Sequence, residues 1–177
     1  LNALEQVDYE EVNRLKVDYL SRLYKQESRR IQKDNDFLSF CNRNQEWLTP
    51  YCAFCWLRDK YGTSNFQQWP KYSTYKEEEI LALAEKKERE FNFYAYIQYL
   101  LDRQLADVAQ YARSKGVLLK GDIPIGISRH SVEAWVEPHY FHLNGQAGAP
   151  PDDFSRNGQN WGFPTYNWQR MEQDGYQ

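Results

Sequence analysis

Residues 117–164, VLLKGDIPIGISRHSVEAWVEPHYFHLNGQAGAPPDDFSRNGQNWGFP, decide how the chain is read. Val117-Leu118-Leu119 is a short apolar run that ends at a Gly-Asp-x-Pro turn, Gly121-Asp122-Ile123-Pro124. Coming after a helical pattern that stops at Gly116, it has the form of the αβ half of a parallel βαβ unit and predicts a buried strand over about 117–122. A weaker second strand is possible at Ile125–Ile127. A long loop follows, punctuated by Gly, Pro, Asp and aromatic residues, and closes at Gly158-Gln159-Asn160-Trp161-Gly162. A carboxylate at a strand's exit followed by an aromatic loop is one way an α/β enzyme builds the edge of a pocket.

A parallel strand cannot stand alone, because its backbone groups need partners on both edges. The missing strands are therefore expected from polypeptide outside these residues. Consistent with that, the chain begins at Leu1, its only methionine is Met171, and the helix-like run from Asn167 stops at Gln177. The expected fold is α/β: a mostly helical piece of a (β/α)₈ barrel of roughly 250 residues, with a helical subdomain and one clear parallel strand. Residues 1–177 would be one partial catalytic domain, helical over 1–115, with the strand and an active-site loop segment in 116–177. Asp122 would stand at the strand's C-terminal end, where barrels carry their active-site groups.

Upstream, Asp8 with an acid three residues later has the form of a helix start. Val12, Leu15, Tyr19 and Leu23 then recur at spacings of three and four, an amphipathic face. The charged patch from Gln26 to Asp36 reads as a frayed end and a loop. A second helix should carry Phe37, Phe40, Cys41, Asn44 and Trp47 on one side. Thr49-Pro50 predicts the start of a third, with Phe54, Leu57 and Tyr61 inward and a stop at Gly62. Thr63 to Lys71 reads as loop. Ser73 or Thr74 can cap the next helix, with Glu77 and Glu78 in its first turn. From Phe91 the pattern continues through Tyr94, Ile97, Leu101, Leu105, Val108 and Ala112, ending at Gly116 as C′ residue.

Composition removes several function classes. With 22 basic and 25 acidic residues, the net charge of −3 offers no footprint for nucleic acid, and Arg29-Arg30 is too small a cluster to supply one. No apolar run is long enough to span a membrane, and no signal peptide is present, so a cytoplasmic protein is expected. The three cysteines, Cys41, Cys52 and Cys55, make no disulfide framework; Cys52 and Cys55 match C-x-x-C but lie in an aromatic helical pattern and read as buried thiols. No cofactor is implied.

Among residues that could carry chemistry, Asp122 is either a turn-former bonded to nearby backbone or a carboxylate accepting hydrogen bonds from ligand hydroxyls. Ser131 is placed to cap a short helix over Val132–Val136 in which Trp135 packs. His139 and His142 lack a third ligand at zinc-like spacing. His130, Ser131 and Asp122 have no nucleophile-elbow motif around them. The 29 aromatic residues (6 Trp, 14 Tyr and 9 Phe) are mostly core, but a ring between glycines such as Trp161 suits display. Pyranose rings expose apolar C–H faces edged with hydroxyls, so an aromatic platform near carboxylates suits a sugar.

The segments LLKGDIPIGIS, SVEAWVEP, HLNGQAGAPPDDFSRNGQNWGFPTYNWQRM and VDYEEVNRLK resemble the 4-α-glucanotransferases, the amylomaltases or disproportionating enzymes of glycoside hydrolase family 77. The GQAGAPPDDFS and GQNWGFPTYNW stretches are most similar to the branch of the type II disproportionating enzymes. The resemblance implies a (β/α)₈ barrel that cleaves an α-1,4-glucan and passes the glucanosyl unit to another sugar, such as maltose, with retention. It also implies that Asp122 of the GD-x-P motif lines donor subsites and that Trp161 of GQ-x-WG faces the active site. Pro151, Asp152, Phe154 and Ser155 would belong to a loop over bound glucan. The family's nucleophile, acid/base and transition-state carboxylates have no counterpart here, so no catalytic residue is expected and the remainder of the barrel becomes a partner. The alternative is a non-catalytic helical domain that binds glucan or a protein through its aromatic surface.

Overall fold

The computed structural model describes residues 5–122 and 124–176. The chain divides into two compact units, the first Leu1–Cys52 with Ala84–Leu119, the second Ala53–Leu83 with Lys120–Gln177.

The first unit is helical. Helix α1 (Tyr9–Ile31) starts where expected, with the Asp8 carboxylate accepting from the Glu11 N–H. Acids in its first turn and Arg29 and Arg30 in its last complement the helix dipole. It does not fray at Gln26; Tyr24, Ser28 and Ile31 form a buried stripe at helical spacing that holds the charged segment in place. Leu15 and Tyr19, expected inward, are exposed. Helix α2 (Asn35–Arg43) buries Phe37 and Phe40 and is capped by Asp34, whose carboxylate accepts from the Asp36 and Phe37 N–H groups at 2.9 and 3.3 Å. Asp34→Ala is expected to lower stability by about 1 kcal/mol, seen as a lower urea midpoint at unchanged slope. Asp34→Asn should recover most of that loss, because its side-chain carbonyl can accept the same bonds.

Helix α3 (Gln45–Tyr61) crosses the sequence boundary between the units. The predicted start at Thr49-Pro50 is wrong. The helix begins at Gln45, five residues before the predicted first helical position, and Pro50 lies inside it, where the missing N–H forfeits one ladder bond. Pro50 is buried, and packing overrides the local preference. Gly62, at φ +68°, does end the helix. Helix α4 (Glu77–Lys86) opens with three glutamates, and neither Ser73 nor Thr74 caps it: the chain becomes helical only at Glu77.

Helix α5 (Glu88–Ser114) is a separate element, ended by Gly116 at φ +74°. Its buried residues are Phe91, Ala95, Tyr96 and Tyr99, whereas Leu101, Leu105 and Val108 are 52–65% exposed. Of the periodic stripe Phe91 is buried as expected, but beyond it rings from α1 and α2 select the face of Ala95, Tyr96 and Tyr99. Tyr24 meets Phe93 and Tyr96 at 5.7 and 5.6 Å, and Phe37 and Phe40 meet Tyr99 at 5.6 and 5.7 Å.

Val117, Leu118 and Leu119 are 53, 84 and 58% exposed, and none of the described residues of 117–122 belongs to a strand. The predicted parallel strand is therefore not formed here, and neither is the weak one at Ile125–Ile127, where Ile125 is 75% exposed. With no strand beside it among the described residues the segment forms no ladder, and the Val117 N–H donates back to the Ala112 carbonyl at 2.9 Å. Ile123 lies outside the described residues.

The core of the second unit is a ring cluster around Trp135, carried on the short helix α6 (Val132–Val136). As expected, the Ser131 hydroxyl accepts from Ala134 N–H at 3.3 Å. Trp135 lies 5.8, 5.6 and 5.0 Å from Phe54, Trp69 and Tyr75. Buried indoles need a partner for their N–H: Trp135 donates to the Tyr72 carbonyl and Trp69 to the Thr63 carbonyl, both at 2.9 Å. The segment read as loop from Thr63 contains a 3₁₀ turn, Phe66–Gln68, with Phe66 and Trp69 buried.

Residues 141–166, read as loop as far as Gly162, form an irregular hairpin. Strand β1 (Phe141–His142) pairs antiparallel with β4 (Thr165–Tyr166), and β2 (Gly148–Ala149) with β3 (Gln159–Asn160). Between the ladders one strand has five residues, 143–147, and the other four, 161–164. The extra residue bulges the hairpin, a device that re-aims side chains. Helix α7 (Trp168–Gln173) follows, with Asn167 accepting from Arg170 N–H.

Candidate functional site

The hairpin collects five of the six residues expected to bind ligand. Its narrow part is built by glycine: a Cβ on Gly148 would sit 2.1 Å from the Gln159 carbonyl oxygen. Gly158 has φ +71°, and a Cβ there would come within 2.5 Å of the Ala149 carbonyl oxygen. Only glycine lets these strands meet at this distance with this backbone. Gln146 adds a cross-strand clasp by accepting from the Asn160 amide.

At the tip, Asp152 and Ser155 use their polar groups on the loop itself. One Asp152 carboxylate oxygen accepts from the N–H groups of Phe154 and Ser155, at 3.0 and 2.7 Å. The Ser155 hydroxyl donates to the Gly158 carbonyl at 2.6 Å. This is an Asx-type turn, and it thrusts the Phe154 ring out to 97% exposure beside the exposed Pro151. Asp152 and Ser155 thus shape the tip, and Phe154 is its apolar point.

Trp161 stands at the end of β3, 43% exposed, with its ring 5.9 Å from Phe163 at an interplanar angle of 30°. Its indole N–H donates to the Gln159 side-chain carbonyl at 3.1 Å. Gln146, Gln159 and Asn160 were not singled out by the sequence reading. The available signal was the pair of adjacent amides ahead of the ring in Gly-Gln-Asn-Trp-Gly, which an extended backbone places on opposite faces.

Asp122 is exposed and lies in the segment ahead of Pro124, outside the hairpin. The two cavities described lie elsewhere and include none of the six residues. The larger, about 520 Å³ within the first unit, is lined by Cys41, Cys52, Asn42, Gln45, Asn92 and Glu88 among others. Burial pushes the Cys41 thiol up to about 11, so it stays protonated and a poor nucleophile near neutral pH. Among the described residues no group of three or more His, Cys, Asp or Glu side chains could hold a metal ion. His139 instead lies against the Tyr140 ring and Glu137. No helix among the described residues is long and apolar enough to cross a membrane.

The amylomaltase of Streptococcus agalactiae, determined in complex with acarbose, superposes with a TM-score of 0.76 at 28% identity, over 96% of this chain and 36% of its own. The family model for 4-alpha-glucanotransferase, glycoside hydrolase family 77, matches residues 1–177, and the chain belongs to that family. Among its relatives, the 4-alpha-glucanotransferase DPE2 of Oryza sativa subsp. japonica is 45% identical over 96% of this chain and 18% of that protein. The 4-alpha-glucanotransferase of Chlamydia muridarum is 35% identical over 99% of the chain and 33% of its own length. The chain thus spans about a fifth to a third of the curated relatives it matches.

Proposed function

We propose that these residues form part of the catalytic domain of a 4-α-glucanotransferase, an enzyme that moves α-1,4-glucan segments or glucosyl units between sugars. The observation that carries this reading is the family match along all 177 residues, GD-x-P and GQ-x-WG included. The part supplied here is a substrate-facing wall: Asp122 binding glucan hydroxyls, Trp161 stacking on a pyranose face, and the Pro151, Asp152, Phe154 and Ser155 tip covering the chain. The exposed ring of Phe154 and the half-open face of Trp161 support it, because rings at such exposure have free surface for an apolar sugar face.

The reaction is a retaining double displacement. A carboxylate attacks the anomeric carbon and the bond to the leaving sugar breaks, while a second carboxyl group protonates the departing oxygen. The acceptor hydroxyl then attacks the glycosyl-enzyme and gives its proton back to that second carboxylate. Both carboxylates, and the barrel strands that would flank Val117-Leu118-Leu119, are assigned to polypeptide outside these residues. The enzyme works in the cytoplasm and needs no cofactor.

The test is incubation with maltotriose. The complete enzyme is expected to yield glucose together with longer maltodextrins, whereas these 177 residues alone should release no glucose. Turnover by the isolated chain would overturn the placement of the carboxylates. A complete enzyme that binds maltodextrin without converting it would sink the transferase reading in favour of a glucan-binding domain.

A further inference from the structure

We propose that Gln159 is a positioning residue that holds the Trp161 indole in the orientation in which it meets glucan, so that this ring offers its face and not its N–H. The inference rests on the reading of Trp161 as a sugar platform.

Residues i and i+2 of an extended strand share a face. Gln159, in β3, therefore comes alongside the indole two residues on, and its side-chain carbonyl accepts from the ring N–H at 3.1 Å. An indole has one donor and no acceptor. With that donor engaged by Gln159, a sugar hydroxyl has no hydrogen bond to gain from Trp161, and stacking is what the ring has left to give. The ring's other constraints converge on the same orientation. Its own backbone N–H donates to the Ala147 carbonyl at 2.9 Å, and the Ala147 N–H donates to the Phe163 carbonyl at 2.8 Å. Phe163 in turn lies against the indole. Asn160, between Gln159 and Trp161, turns to the opposite face, where its side-chain oxygen accepts from Gly162 N–H at 2.9 Å while its amide donates to Gln146. The backbone on both sides of Trp161 is thus pinned, which leaves ring rotation as the remaining freedom. The Gln159 acceptor removes it. A preset ring binds with less ordering of its own.

The complete enzyme with Gln159→Leu, Gln159→Glu and Trp161→Phe separates the alternatives. The near-ultraviolet circular dichroism difference between the parent and Trp161→Phe isolates the Trp161 band from those of the enzyme's other aromatic residues. Gln159→Leu keeps the side-chain size but removes the acceptor. It should lose most of that band and raise the KM for maltotriose about 2- to 10-fold, with a smaller change in kcat. Gln159→Glu keeps a carboxylate acceptor and should restore both. An unchanged band in Gln159→Leu, or a Gln159→Glu variant that behaves like Gln159→Leu, overturns the inference. Loss of the band at unchanged KM would uphold the hold on the ring and overturn the assignment of Trp161 to glucan. Gln159 is exposed, so these variants should fold as the parent does.

Discussion

Trp135→Ala should destabilise the chain by about 3–5 kcal/mol, among the largest losses a single truncation gives. The indole is 2% exposed and touches rings from three separate stretches of the second unit: Phe54, Trp69 and Tyr75. Removing it opens a cavity between groups held by different parts of the chain, so the site can collapse only by moving backbone. The part-buried Tyr72 carbonyl also loses its donor, which adds to the loss. Against a usual total of about 5–15 kcal/mol, that is a large fraction of the stability. Urea unfolding followed by near-ultraviolet circular dichroism checks this. Trp135→Phe should fall between, since it keeps a ring and loses the hydrogen bond. A Trp135→Ala midpoint equal to the parent's would mean that the ring cluster is not what holds this unit together.

Asp122→Ala in the complete enzyme should reduce kcat/KM for maltotriose roughly 100-fold, the equivalent of one or two charge-assisted hydrogen bonds to ligand hydroxyls. Asp122→Asn should be less damaging, because an amide carbonyl still accepts but without the charge. Stability should hardly move, because Asp122 is exposed and surface changes of this kind stay within about 0.5 kcal/mol. That contrast separates a ligand role from a structural one. Near-normal turnover of Asp122→Ala would rule out the role given to it. A matching fall in stability and activity would make Asp122 a turn-former instead.

These two residues illustrate different degrees of legibility. Trp135 was recognisable as a packing residue on a capped helix, because Ser131 and the short apolar run after it are local features. Its partners Phe54, Trp69 and Tyr75 were not recognisable as a set, since 81 residues separate Phe54 from Trp135 along the chain. Asp122 was conspicuous only as part of a Gly-Asp-x-Pro turn. The strand that was to carry it shows why: hydrogen bonds to neighbouring strands make a strand, and Val117-Leu118-Leu119 has none beside it among the described residues.

What the sequence by itself determined were the features whose physics acts within a few residues. Asp8 and Ser131 cap helices because their side-chain oxygens reach N–H groups three residues on. Gly62 and Gly116 end helices because each can take a positive φ at little cost. The family, too, was legible, in the GD-x-P and GQ-x-WG motifs. Tertiary structure decided the rest. It carried α1 through its charged end and put Pro50 inside α3. It turned α5 to bury Tyr96 and Tyr99 instead of Leu101 and Leu105. It also folded an apparent loop into a hairpin with Trp161 held at its edge. In α1 and α5 burial against distant rings, and in the hairpin pairing with a distant strand, outweighs a local preference worth at most a few kcal/mol.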